Sequence, residues 1–561
     1  MNKRWTTPLF FLVLIWLFYV ASKGAYKGFF SADDLDNLAW TRHADLSSFL
    51  TGLLTPLFSA ANFRPVGHFY FWALGHAFGL DFRPYVAVLH LLHLANLGLL
   101  WALLSRLQFA WPARAVGVVF FAFHMAVFDA YWKPMYIFDV SCAFFSLLSV
   151  LLWLGKSPWL SLLSFWFAYK SKELAVAIPA ILAAYELLLG SFSFRALSAH
   201  IAGGAWFIGQ ALFAQSGRTG GEYAIRLTPL TLWQTADYYA SQILLVPHAG
   251  FGLLFLPAWL RDRRLWWGLL AALLWLGPMF AVPGRTFGAY LYLPLAGLAV
   301  AMAAVTERAG WKWIALPMTI WLVFNYAEMR NKRRATLAEA EESSTFVRSL
   351  SQVARNARET DTILLDGVPD SLQSWGIQGA IRYAFDRDDL TIINLRDTDH
   401  PLPGPNANIV MLSWDASVRR LFSVRRTKEA GDVTYMEMTR LTPVWLLGEG
   451  WYQWEGNFRW TKPRAFAAIR RPEDAKHFSV TVNIGPGYIQ AVRKSTLTVL
   501  LNGVELGSRT FTEQGWRTET FNLPDAPPGP ANVEFRVDPP FIPSSADPRP
   551  LGIPIGGFGF R

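Results

Sequence analysis

Between residues 8 and 326 the chain is a near-continuous succession of apolar runs, and that pattern leaves little choice of fold. Runs long enough, or nearly long enough, to cross a bilayer lie at 8–22, 84–104, 111–127, 136–154, 158–170, 173–190, 197–214, 240–259, 265–282, 287–304 and 311–326, eleven in all. A backbone in hydrocarbon must satisfy its own hydrogen bonds, so these runs predict a polytopic α-helical membrane part. The segment 66–80 carries His68 and His76 and is short for a span. It is expected to form a helix lying along the interface. The first run follows Lys3 and Arg4, as in a signal peptide, but Ala21-Ser22-Lys23 is a poor cleavage context and more runs follow. It reads as an uncleaved first helix.

The loops orient these helices. With the N-terminus inside, the inner loops 105–110, 155–157, 191–196, 260–264 and 305–310 carry Arg106, Lys156, Arg195, Arg261 with Arg263 and Arg264, and Arg308. Every inner loop is basic, as the positive-inside rule requires, provided that 66–80 does not cross. The formal charge of +10 is therefore scattered between spans and is no nucleic-acid stripe. An odd number of spans puts the C-terminal part outside. The outer side then collects Asp33, Asp34, Asp36, Arg64, Lys133, Asp139, Lys172, Glu173 and Arg285. Charges at this depth normally pair or line a polar cavity.

Each of these residues also has a plainer reading. Ser31 or Asp33 could cap a helix over 34–40, Arg64 could snorkel, Asp139 could pair with Lys133, and Lys172 and Glu173 could form an internal ion pair. His90 and His93 share a helix face, but no carboxylate lies near them in sequence, so a metal site is not indicated. A divalent cation at Asp33 and Asp34 is compatible with the pattern and not demanded by it. No G-x-x-x-x-G-K-[ST] loop is present, which removes the signature expected of an ATP-type donor. The single cysteine, Cys142, lies in an apolar run and allows no intramolecular disulfide.

Several motifs follow one another on the outer side: an acidic pair after the first helix, FRP at 63–65, YIFD at 136–139, SKE at 171–173, and R…YLYLP over 285–294. Over residues 1–326 this order resembles the polyprenyl-phosphate-sugar-dependent GT-C glycosyltransferases. The pattern is nearest to protein O-mannosyltransferases, transmembrane tetratricopeptide O-mannosyltransferases and bacterial lipid A aminoarabinose transferases. The resemblance implies a general base at Asp33 or Asp34. It implies donor-phosphate contacts from Arg64, Lys172, Arg285 and Tyr292, with Asp36, Lys133, Asp139, Glu173 and Tyr290 lining the site. The chain departs from the family where the basic-Pro position can be Lys and here is Arg64. No helical repeat follows residue 326.

After Tyr326 the composition changes. Residues 328–357 have helical period and mixed charge, and 362–414 alternates strand and helix as in a small α/β unit. From about 446 short alternating strands, with an Asn-Gly hairpin signal in LNGVEL, predict a jelly-roll β-sandwich. It resembles the carbohydrate-binding-like sandwiches at the ends of bacterial surface-glycan enzymes. Trp451, Trp454, Trp460 and Trp516 could stack on sugars or fill its core. The expected domains are thus 1–326, a GT-C-like transmembrane catalytic domain; 327–445, an extracytoplasmic helix and small α/β domain; and 446–561, the sandwich.

The expected function is transfer of a sugar, with inversion, from a polyprenyl-phosphate donor to a protein, lipid or glycan acceptor. The site would face the outer side of a bacterial inner membrane. Competing readings are a transporter or flippase for lipid-linked glycans and a membrane scaffold that binds glycan without catalysis. Neither internal repeats nor midplane charges, the usual signs of a transporter, are visible.

Overall fold

The computed structural model describes residues 3–55, 64–215, 224–395, 407–426, 433–544 and 547–561. It divides into two compact units, Met1–Ser343 and Ser344–Arg561.

The first unit is helical. α1 (Lys3–Ser22) leads through a 3-10 turn (Lys23–Lys27) into α2 (Asp33–Arg42), α3 (Leu46–Leu54) and α4 (Pro65–Phe78). There follow α5 (Phe82–Arg106), α6 (Trp111–Ala122), α7 (Ile137–Leu154), α8 (Pro158–Ser171), α9 (Ile178–Leu188) and α10 (Phe194–Gln215). The remainder are α11 (Pro229–Leu244), α12 (Leu256–Leu260), α13 (Arg263–Phe280), α14 (Pro294–Ala309) and α15 (Trp311–Asn356), and the unit boundary falls within α15. Large apolar side chains stand exposed along α1 (Leu12, Trp16), α8 (Trp159) and α15 (Trp313, 80% exposed, and Phe324). Such surfaces would drive aggregation in water and are the ordinary exterior of a bundle in lipid. This is a multi-pass membrane unit.

Among the described residues, three stretches are individually long and apolar enough to cross: Trp5–Lys27, Phe82–Arg106 and Pro134–Leu154. Two bent pairs raise the number to at most five. Several of the eleven expected spans therefore differ in form. The run 111–127 is helical to Ala122 and then turns by 66° into Met125–Tyr131. The run 240–259 is not one straight helix: α11 ends at Leu244, Leu245 takes a left-handed φ of 58°, and the chain turns by 90° into Ala249–Ala258. Apolar composition records neither break. The run 158–170 forms the 14-residue α8, about 21 Å at the helical rise, which is short for a bilayer. Tight packing holds the bundle elsewhere. A Cβ on Gly268 of α13 would lie 2.7 Å from the Gly297 carbonyl oxygen of α14, the close approach that small residues allow.

At one end of the unit, three loops expected on the inner side come together. Asp262 pairs with Arg264 and Arg308, Arg264 also pairs with Glu307, and Glu307 accepts the Ala110 amide.

The second unit contains a small sheet of β1 (Thr362–Leu365), β2 (Thr391–Asn394), β3 (Ile409–Asp415) and β4 (Arg420–Arg425), in the order β2-β1-β3-β4. β1 runs parallel to β2 and β3, β4 is antiparallel, and α16 (Ser374–Phe385) joins β1 to β2. Ten further strands are β5 (Tyr435–Glu437), β6 (Trp451–Trp454), β7 (Arg459–Thr461), β8 (Arg464–Arg471), β9 (His477–Ile484), β10 (Ser495–Leu501), β11 (Val504–Phe511), β12 (Gly515–Asn522), β13 (Gly529–Asp538) and β14 (Pro554–Phe560). They form the sheets β11-β10-β13-β8 and β12-β9-β14-β7-β6, with β5 on β14. Asn502 and Gly503, both at positive φ, turn the β10–β11 hairpin that LNGVEL announced. Inward residues of both sheets share one apolar cluster with Leu364, Ile409 and Met411 of the small sheet. A buried Asp366–Arg459 pair also joins these parts. Residues of the small sheet and of the two larger sheets thus share one apolar cluster.

Candidate active site

The chain leaves α1 and reaches α2 through a tight, strained turn. The Asp34 amide donates to the Ser31 carbonyl at 2.8 Å, and Asp34 Oδ2 accepts the Ser31 amide at 3.0 Å. The bond from a third-position carboxylate back to the entry amide follows the logic of a capping box. Between them Ala32 lies at φ 37°, ψ −114°, a region that residues with a Cβ rarely adopt. Asp34 is 0% exposed, whereas Asp33 and Asp36 are partly exposed. The adjacent carboxylates of the acidic pair therefore have different environments, one clasped in the fold and one open.

Burial pushes the Asp34 carboxyl up to about 7 and the Asp33 charge adds to this, while the Ser31 and Met135 amides and Lys133 pull it down. Its protonated form is thus favoured by folding. The stabilisation is complete below 3.8, the ordinary value, and is lost as pH rises through about 7. From pH 5 to 7 the loss is about 2–3 kcal/mol. Raising the pH from 5 to 8 should therefore lower the thermal unfolding midpoint of the wild type relative to Asp34→Asn. A difference between the two that stays constant with pH would contradict this.

Two ion pairs stand on the other expected positions. Arg64, immediately before Pro65 at the start of α4, forms a fork with Glu173: Nε to Oε2 at 3.0 Å and Nη2 to Oε1 at 2.6 Å. Lys172 Nζ donates to Asp139 Oδ1 at 2.6 Å, with side chains 6% and 5% exposed. Lys172 has extended backbone (φ −161°, ψ 145°) between α8 and the turn Glu173–Ala177. Neighbouring side chains in extended backbone point to opposite sides, so the adjacent Lys172 and Glu173 serve different partners. The Tyr290 ring lies 4.5 Å from Lys172 Nζ. The Phe138 ring lies 5.7 Å from the Arg64 guanidinium carbon. Gly67 brings α4 onto that same ring, since a Cβ there would sit 2.1 Å from Phe138 Cδ1.

These contacts bring together Arg64, Phe138, Asp139, Lys172, Glu173 and Tyr290. Lys133, whose charge acts on Asp34, approaches Asp129 at 3.8 Å and Glu339 at 3.6 Å. The plainer pairing of Asp139 with Lys133 is not what forms. Arg285 lies in the turn Pro283–Arg285, 5.0 Å from the Phe287 ring. Tyr292 stands apart from the polar group. It is fully buried, and its hydroxyl meets His93 Nδ1 at 2.7 Å and Asn96 Nδ2 at 3.1 Å. His90 Nε2 bonds the Tyr131 carbonyl, and His93 Nδ1 meets the Tyr292 hydroxyl, so this helix-face pair has protein partners; His124 Nε2 bonds the Ile243 carbonyl. Among the described residues, no three of His, Cys, Asp and Glu come together as a metal centre would require. Asn96 escaped the sequence reading; its available signal was the three-residue spacing from His93 on one helix face.

In the second unit, Trp451 stacks on Phe558 and Trp460 packs against Tyr488, both as parts of the apolar interior. The Trp454 indole donates to the Met438 carbonyl, and Trp516 is 48% exposed.

No family model and no curated protein matches the chain. Solved structures do show similarity to it. ArnT from Cupriavidus metallidurans bound to undecaprenyl phosphate has 11% identity and a TM-score of 0.44, covering 76% of this chain and 99% of that one. The Archaeoglobus fulgidus oligosaccharyltransferase in its apo form has 10% identity and a TM-score of 0.45, covering 98% and 96%. The arabinofuranosyltransferase AftD from Mycobacteria has 11% identity and a TM-score of 0.42; the match covers 100% of this chain and 58% of that one.

Proposed function

We propose that this chain is an integral-membrane glycosyltransferase that moves a sugar from a polyprenyl phosphate to an acceptor hydroxyl at the outer face of a bacterial inner membrane. From the basic inner loops we read residues 344–561 as extracytoplasmic as well. The observation that carries the reading is the polar cluster of the Arg64–Glu173 and Lys172–Asp139 pairs beside Tyr290; the acidic pair, with Asp33 partly exposed and Asp34 clasped, is read as belonging to the same site. An ordinary helix bundle has no use for so many charges at one end.

The chemistry follows from these groups. Asp33, the more open member of the pair, takes the proton of the acceptor hydroxyl. The acceptor oxygen bonds to the anomeric carbon as the bond from that carbon to the phosphate oxygen breaks. The polyprenyl phosphate departs with the electron pair. A single displacement inverts the anomeric centre. Arg64 supplies a fork that matches phosphate oxygens, and the Lys172 ammonium adds a second positive charge in a poorly hydrated setting, where such charge is most effective. Glu173 and Asp139 hold these cations in place, and Arg285 adds positive charge on the same side. Tyr292, with its hydroxyl already bonded inside the bundle, is assigned to positioning and not to phosphate contact.

The lipid part of the donor has apolar surroundings available. Cavities of about 380 and 180 Å³ lie in the helical unit. The first is lined by Phe120, Leu253, Leu298 and Trp321, the second by Tyr239, Leu253, Leu276 and Leu298. Trp516 is the residue of the second unit best exposed for glycan stacking.

The test is transfer of sugar from synthetic polyprenyl-phosphate sugars by the purified full chain. Changing Asp33 and Asp34 together to Asn should abolish transfer; activity that survives the double change would remove the acidic pair from the mechanism.

A further inference from the structure

Lys172 is held between two groups that come from different helices. Its ammonium is bonded to Asp139 near the start of α7 and covered by the Tyr290 ring just before α14. One buried side chain on a third helix reaches the backbone or side chain next to each of them. Asn96 of α5 is 0% exposed. Its amide nitrogen donates to the Val140 carbonyl at 3.0 Å, one residue from Asp139. The same nitrogen donates to the Tyr292 hydroxyl at 3.1 Å, two residues from Tyr290. The two N–H groups of a primary amide are thereby both engaged. The Tyr292 hydroxyl, accepting from Asn96, is free to donate its own proton to His93 Nδ1 at 2.7 Å.

We infer that Asn96 is a positioning residue for Lys172: it sets the separation of the Asp139 turn and the Tyr290 turn, and so the place at which the ammonium meets a donor phosphate. The inference rests on the reading of Lys172 as a donor-phosphate group. The physical ground is that a planar amide with two committed donors fixes both of its partners in one geometry. Losing one partner also leaves buried polar groups unsatisfied. Leucine has nearly the shape of asparagine and no donors, so Asn96→Leu releases both turns at once. Tyr292→Phe removes one hydroxyl and keeps the ring, and is the milder change should Asn96→Leu fail to fold.

The experiment is binding of undecaprenyl phosphate to the detergent-solubilised full chain, followed by intrinsic fluorescence, in a double-mutant cycle with Lys172→Ala. Asn96→Leu and Tyr292→Phe should each weaken binding several-fold, about tenfold for Asn96→Leu, when Lys172 is present. In the Lys172→Ala background the same changes should have an effect of less than about twofold. A residue with a merely structural role would weaken binding equally in both backgrounds, and that result overturns the inference, as does unchanged binding in both single variants. If the wild type binds no undecaprenyl phosphate, or Lys172→Ala binds as well as wild type, the donor reading itself fails and the inference with it.

Discussion

Asp33→Asn should reduce sugar transfer by about 10³-fold while leaving the helical unit folded and its affinity for undecaprenyl phosphate unchanged. The size is that of losing a general base. Asparagine has the same shape, Asp33 is partly exposed, and its backbone carbonyl, not its side chain, accepts the Asn37 amide. Little structural cost is therefore expected. In the proposed mechanism the donor contacts lie on other residues, so the loss should fall on kcat, with donor KM within about twofold of wild type. Asp34→Asn provides the contrast. The asparagine carbonyl can still accept the Ser31 amide that Asp34 holds at 3.0 Å, so the strained turn at Ala32 persists and transfer should fall far less. Steady-state kinetics with a synthetic donor measures both. A large loss in Asp34→Asn with near-normal kcat in Asp33→Asn would exchange the two roles.

How much of this was legible in the sequence depends on whether the information is local. Apolar runs locate helices because lipid demands it, and the starts of α5, α7 and α13 fall within a few residues of the expected ones. The bends after Ala122 and Leu244 were hidden, because a left-handed Leu245 leaves no mark on hydropathy. Loop charges assigned the candidate residues to one expected side before any contact was known. They could not assign partners. Asp139 pairs with Lys172 and not with the nearby Lys133, and Glu173 pairs with Arg64 across 109 positions, because helix packing decides who meets whom. Tyr290 and Tyr292 looked equivalent in YLYLP. The chain turns helical between them, so one faces Lys172 and the other faces His93 and Asn96.

Asp139→Leu alone should destabilise the helical unit by about 3–5 kcal/mol, and Lys172→Met alone by a similar amount, because each leaves a buried charge without its partner. The two side chains are 5% and 6% exposed and meet at 2.6 Å, so water cannot take the place of the lost group. The paired change Asp139→Leu with Lys172→Met should recover most of that stability. Apolar side chains of similar volume replace a buried ion pair at little net cost, since neither charge then has to be desolvated. Transfer should not recover with it, because the departing phosphate has lost the ammonium even though the bundle is sound. Thermal unfolding of the purified protein in detergent reads the first quantity and turnover of a synthetic donor reads the second. A double variant that both folds and transfers at the wild-type rate would make the pair structural and leave Arg64 as the principal phosphate contact. Single variants that lose less than about 1 kcal/mol would instead mean that water or lipid headgroups reach the pair, since that is the range of exposed ion pairs.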